Sequence, residues 1–293
     1  MKQLLVLSGK GGTGKTTVAS ALIHLFKTKA FADCDVDAPN LHLVFAKKGE
    51  PKRSDFYGLK KAFIDPEKCI SCGLCFDHCR FSAIQVVDQI YRVEEHACEG
   101  CAVCQFVCPV EAVTMNPSPA GELQLYQNPQ MVFSTAQLKM GSGNSGLLVS
   151  EVKKQMREAA SEPDLAIIDG SPGIGCPVIA SLSGADWVLI VTEPSVSGIS
   201  DLQRIVKTAT TFQVPVLVCI NKADTSPEKA EEIMQYCDEK GIQYVGSIPF
   251  DPLAVKAINQ GISIIEIPSP SGEAVRKIYK KLEEIIDLKE NDK

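Results

Sequence analysis

Residues 5–17, LVLSGKGGTGKTT, decide the fold. An apolar run ends at Leu7, a glycine-rich turn follows, and from Lys15 to Lys27 the apolar residues recur at helical spacing. Strand, turn and helix in that order are the setting in which Gly9, Gly14, Lys15 and Thr16, spaced G-x-x-x-x-G-K-[ST], form a phosphate-binding loop. Backbone N–H groups from Gly11 through Gly12, Thr13 and Gly14 to Thr16, with Thr17 in the first helical turn, then surround the phosphates at the positive helix end. Lys15 reaches the β and γ phosphates, and the Thr16 hydroxyl coordinates Mg²⁺. Lys10 is one lysine more than such a loop needs.

Outward from this loop, apolar β-rich runs recur at 3–8, 130–134, 165–169, 187–192, 216–220 and 244–248. Helical patterns at Lys15–Lys27, Gly146–Ala160, Ser200–Phe212, Pro227–Lys240 and Ser271–Leu288 separate most of them. Continuous apolar strands alternating with helices predict an α/β fold, a doubly wound and mostly parallel sheet covered on both faces. Residues 60–116 break the rhythm, holding eight of the twelve cysteines and no long helical pattern. They read as a module inserted into a discontinuous domain of residues 1–59 and 117–293.

With 293 residues and 45% hydrophobic content, the chain is long enough to bury a full core. A net charge of −6 argues against nucleic acid as a partner, because that needs a basic face to displace counterions. The short apolar run near the N-terminus is no signal peptide, no segment is long enough to span a membrane, and the C-terminal helix lacks the basic face that membrane binding wants. The expected location is the cytoplasm, where twelve cysteines point to metal or catalysis rather than disulfides.

The cysteines repeat. Cys69, Cys72, Cys75 and Cys79 are followed by Cys98, Cys101, Cys104 and Cys108, both runs reading C-x2-C-x2-C-x3-C, and Ala83-Ile84 after the first matches Ala112-Val113 after the second. Three closely spaced thiolates reach three irons of a cubane, and the fourth cysteine of each run crosses to the other cluster. This pattern assigns one 4Fe-4S cluster to Cys69, Cys72, Cys75 and Cys108, and a second to Cys98, Cys101, Cys104 and Cys79. Zinc, which prefers separated C-x2-C pairs, is the weaker alternative. The segment resembles a bacterial two-cluster ferredoxin, with Pro109 after the second run as expected but Arg80 after the first. A unit this small has little core of its own, so part of the role of its clusters is structural.

Downstream, PDLAIIDGSPGIG (163–175) ends an apolar strand in Asp169, whose carboxylate holds Mg²⁺ through water, before a loop able to respond to a γ-phosphate. With Lys10 in G-K-G-G-T-G-K-T-T, the chain outside the cysteine segment resembles the deviant Walker A P-loop ATPases of the MinD/ParA family, which includes the nitrogenase iron protein. Their first switch is matched by ADCDVDAPNLHL (32–43), their second by DGSPGIG, the following turn by VLIVTEPSVSG (188–198) and the base-binding element by NKAD (221–224). The resemblance implies ATP hydrolysis with Mg²⁺ and a nucleotide-dependent homodimer in which Lys10 crosses to the partner's phosphates. It gives Lys10, Lys15 and Asp35 catalytic roles, Asp35 as the water-positioning group with Asp37 as its rival, and Asp33 a supporting one. Asn221 contacts adenine by the same resemblance, whereas NKAD read as N-K-x-D would select guanine through Asp224.

Cys176 stands seven residues after Asp169, where the nitrogenase iron protein holds a bridging cluster ligand, but no second cysteine lies near MGSGNSG (140–146), so a buried packing thiol is the better reading. The combination implies an ATP-driven redox switch acting on a redox or iron–sulfur partner protein. An iron–sulfur carrier or assembly ATPase is the first alternative, and a positioning ATPase with structural clusters the second.

Overall fold

The computed structural model describes residues 1–45, 49–161 and 163–286. Thirteen strands and ten α-helices occur among them. The central sheet orders its strands β13 (Gln243–Ile248), β12 (Val216–Asn221), β11 (Trp187–Thr192), β1 (Lys2–Leu7), β10 (Leu165–Asp169), β2 (Ala30–Asp33), β9 (Met131–Leu138), β8 (Pro119–Asn128) and β3 (Lys52–Tyr57). From β13 to β9 all neighbours are parallel, while β9–β8 and β8–β3 are antiparallel. The sheet is thus mostly parallel, as the sequence predicts, with an antiparallel extension on one edge that the apolar runs did not reveal. Its outer strand KRSDFY is polar and nearly all exposed, so it carries no apolar signature.

Alternation along each strand sends side chains to opposite faces. In β1, Leu5 and Leu7 join one core with α5 (Ser145–Ala159), α6 (Cys176–Leu182), α7 (Val196–Thr211) and α8 (Pro227–Glu239). Leu4 and Val6 join the other with α1 (Lys15–Phe26), α2 (His42–Phe45), α9 (Pro252–Asn259) and α10 (Pro270–Ile286). The C-terminal helix predicted to Leu288 is described to Ile286; Asp287 and Leu288 lie outside the described residues. Its apolar face, Val275, Ile278 and Leu282, is buried on the second core. Among the described residues, no helix is long and apolar enough to cross a membrane.

β3 and β8 lead into and out of the cysteine segment. There β4 (Lys61–Ile64) pairs with β7 (Val113–Asn116), and β5 (Ile84–Val87) with β6 (Ile90–Val93), all antiparallel. Two single-turn helices, α3 (Leu74–Asp77) and α4 (Val103–Phe106), complete it. Ala62, Ile64, Ala83, Ile84 and Val113 form a small core of their own with Cys75 and Cys98.

Candidate functional site: a phosphate-side cleft and two cysteine cavities

All the parallel strands deliver their carboxyl ends to one edge of the sheet, where an α/β fold places its ligands. A cleft of about 660 Å³ opens there, and Gly11, Gly12, Thr13, Gly14, Lys15, Thr16, Thr17, Asp35 and Asn221 line it together with Asp37. Gly14 adopts φ 89°, and a Cβ there would stand 2.2 Å from Asn221 Nδ2, so the loop closes only with glycine. Asn221 Nδ2 also donates to Thr13 O at 2.6 Å, which makes this residue a brace for the loop as well as a wall of the cleft.

Lys15 is 5% exposed and its Nζ lies 2.6 Å from Asp169 Oδ1 and 3.9 Å from Asp35 Oδ2. Burial alone lowers the ammonium's pKa, but Asp169, Asp33 and Asp35 outweigh it and hold Lys15 above its ordinary value. Thr16 Oγ1 donates to the other Asp169 oxygen at 2.6 Å, so one fully buried carboxylate collects both phosphate-loop side chains from behind the cleft. Asp33 accepts from the N–H groups of Asp35, Asn40 and Leu41 at 2.9–3.0 Å and fixes the loop that carries Asp35. Burial, then the facing Asp169, raises the Asp33 carboxyl to about 7.

Gly9, Lys10, Asp169 and Asp224 do not line the cleft. Lys10 Nζ lies 3.1 Å from Glu193 Oε2 and 3.4 Å from Ser197 Oγ of its own chain. Glu193 Oε1 meets Lys222 Nζ at 2.5 Å, and Lys222 also donates to Gly12 O. Asp224 Oδ1 accepts from Phe250 N–H at 2.6 Å and pins the loop after β13, whose Pro249 and Phe250 wall the cleft with Val255 of α9.

In the cysteine segment, the sequence repeat is also a backbone repeat. Ser71 and Gly100, Gly73 and Ala102, and Ser82 and Glu111 are equivalent pairs, and every member has φ between 50° and 81°. These left-handed residues fold each run around a small cavity. Cys69, Cys72, Cys75 and Cys108 line one, and Cys98, Cys101, Cys104 and Cys79 line the other. Burial, then the facing Cys98 and Cys101, push the Cys104 thiol up to about 11; burial, then Cys69 and Cys72, raise Cys75 likewise. Among the described residues, no three His, Cys, Asp or Glu side chains converge as a single metal ion would require.

The family model of the CobQ/CobB/MinD/ParA nucleotide-binding domain matches residues 4–264. This chain belongs to that family. An uncharacterized protein of Methanocaldococcus jannaschii is 31% identical over 97% of both chains. The iron–sulfur cluster carrier protein of Pyrococcus abyssi is 24% identical over 96% of this chain and 85% of its own. The septum site-determining protein MinD of Pyrococcus horikoshii, solved with Mg-ADP, superposes with a TM-score of 0.59 at 18% identity over 99% of each chain, a likeness of fold. Membership supports a nucleotide-hydrolase role for this MinD/ParA-family chain.

Sequence reasoning passed over Glu193, Lys222 and the Pro249–Phe250 wall. Glu193 lies inside VLIVTEPSVSG, and its signal was a carboxylate just past a strand's carboxyl end. PFDPLA (249–254), a turn after the last parallel strand, carried the same kind of signal for the wall.

Proposed function

We propose that the chain is an ATPase whose nucleotide state gates electron transfer through two 4Fe-4S clusters to a partner protein, with residues 60–116 as a ferredoxin-like domain inserted between residues 1–59 and 117–293. One observation carries the iron–sulfur reading: each cavity gathers three cysteines of one run and the fourth of the other, the exchange of ligands that two-cluster ferredoxins make. Thiols spread around a cavity, rather than converging on a point, suit a cubane better than one ion. When bound, the clusters supply one-electron transfer. The chain supplies the thiolates, the left-handed turns that aim them, and the Ala112 N–H that donates to Cys108 Sγ at 3.3 Å.

The Thr16 hydroxyl would hold Mg²⁺ in the cleft with the Asp169 carboxylate behind it acting through water, Lys15 and the loop N–H groups would take the β and γ phosphates, and Asp35 would orient the attacking water. Lys10 does not line its own cleft, which supports a role for it at the cleft of a second copy. The choice of ATP over GTP is supported by Asn221 lining the cleft while Asp224 does not and instead accepts from Phe250 N–H.

Anaerobic purification with iron and sulfide counting tests this reading. About eight irons per chain and reducible cubanes are expected, with about four irons lost in Cys108→Ala. Zinc without iron overturns it. The names of relatives at about 24% identity favour a second reading, a cluster carrier. Loss of iron from this chain to an iron-free acceptor, at a rate set by ATP, would select the carrier over the switch.

A further inference from the structure

The stretch between β9 and α5 touches both phosphate-side loops and the cysteine segment. At its start, Leu138 N–H donates to Val36 O at 2.8 Å, and the adjacent Gln137 Nε2 donates to Asp37 O at 3.2 Å. At its end, Gly146 of α5 lies against the first residue of α6: a Cβ there would stand 3.1 Å from Cys176 O and 3.3 Å from Cys176 Cβ. Cys176, exposed and so not the buried packing thiol expected from the sequence, directly follows the loop after Asp169. In that loop Gly173 N–H donates to Ser8 O at 2.9 Å, and Ser171 Oγ donates to Cys34 O at 2.5 Å.

Between these ends the stretch meets the cysteine segment. A Cβ at Gly143 would stand 3.0 Å from Glu99 Oε2, and one at Gly58 would stand 3.2 Å from Asn144 Nδ2. Glu99 follows Cys98, two residues before Cys101, and lines their cavity. Gly58 is where the chain leaves β3 for the cysteines. The Glu99 carboxylate and the Asn144 amide make these contacts through their side-chain ends, so the stretch lies against both the phosphate-side loops and the cysteine segment and gives a shift at either loop a route between them.

We propose that residues 138–146 are a relay through which the two loops facing the nucleotide phosphates set the position of the Cys98–Cys101 turn. The relay rests on the nucleotide-gated reading and gives it a physical route. It moves only as far as ATP binds one arrangement of the loops more tightly than the other.

Hydrogen exchange of the full, anaerobically purified chain tests it, with and without a non-hydrolysable ATP analogue and Mg²⁺. Exchange at residues 95–102, where Cys98 N–H donates to Glu94 O, is expected to change by about fivefold, the lower end of usual coupling. Gly146→Ala, and separately two glycines inserted after Ser142, are expected to bind the analogue as the wild type does and to lose that change. The insertion leaves the α5–α6 contact intact, so it decides the matter if Gly146→Ala does not fold. A wild type protected at 8–16 but silent at 95–102 overturns the relay, and so does a folded variant with the wild-type response. Iron counted on the same samples separates the two readings: a chain without iron overturns the iron–sulfur assignment, whereas an iron-loaded chain with a silent 95–102 turn overturns only the relay.

Discussion

Lys10 can serve a second copy only by leaving Glu193, and Glu193→Gln measures what that departure costs. Burial raises the Glu193 carboxyl, but hydrogen bonds from Lys222 and Lys10 outweigh it and hold the group below its ordinary value, so it is charged near neutral pH. The Lys10 side chain is 39% exposed and that of Glu193 15%. Solvent therefore screens the pair, which is worth about 0.2–1 kcal/mol. A symmetric dimer breaks two such pairs, so removing the carboxylate should tighten ATP-dependent dimerisation by about 2- to 30-fold. The gain should shrink as salt rises. Light scattering with a non-hydrolysable ATP analogue reads the dimer constant, and calorimetry on the same variant checks the loop that Lys222 braces. Lys10→Ala should bind nucleotide through Lys15 yet fail to dimerise. If Glu193→Gln binds nucleotide normally but dimerises no better than the wild type, or if Lys10→Ala dimerises as the wild type does, Lys10 acts only within its own chain.

Lys15→Ala should abolish nucleotide binding, whereas Asp35→Ala should retain it and slow hydrolysis by about 10²–10⁴-fold in a phosphate-release assay; normal turnover in Asp35→Ala with loss in Asp37→Ala would move the water-positioning role to Asp37. Gly14→Ala should lose nucleotide affinity in calorimetry while the fold persists by circular dichroism, because the left-handed residue at φ 89° leaves no room for a Cβ beside Asn221. Burial lowers the pKa of Lys153, whose Nζ donates to Ser181 O and Ser183 O at 2.6 Å, to about 8. The unfolded chain then binds more protons than the folded one between about pH 8 and 10.4, so this group's contribution to stability grows as pH rises through that window, by at most about 1.4 kcal/mol per unit. Denaturation of Lys153→Met at several pH values should show that slope removed, and a slope equal to wild type would place the ammonium in a solvated setting.

The parallel core was legible because its signals are local. An apolar run, a glycine-rich turn and a helical period lie next to one another in residues 5–27, and each physical requirement falls on neighbouring residues. The grouping of the cysteines around two cavities was legible for the same reason: the spacing within a run is short, and the repeat pairs the fourth cysteine of each run with the other. Other features depend on side chains brought together from far apart. The strand Ala30–Asp33 is only four residues long, and β3 is polar, so neither announces its place in the sheet. Asn221 bracing Thr13, Glu193 holding Lys10, and Gly146 against Cys176 join residues 208, 183 and 30 positions apart. No periodicity encodes such contacts. The sequence by itself determined which groups are the candidates for phosphate and for the proposed iron–sulfur clusters, because that chemistry is written in residue type and spacing. Only the tertiary structure decided that Lys10 pairs with Glu193 instead of lining its own cleft and that the stretch from Leu138 to Gly146 lies against both the loop after β2 and Glu99, because packing selects one arrangement from the many that local sequence permits.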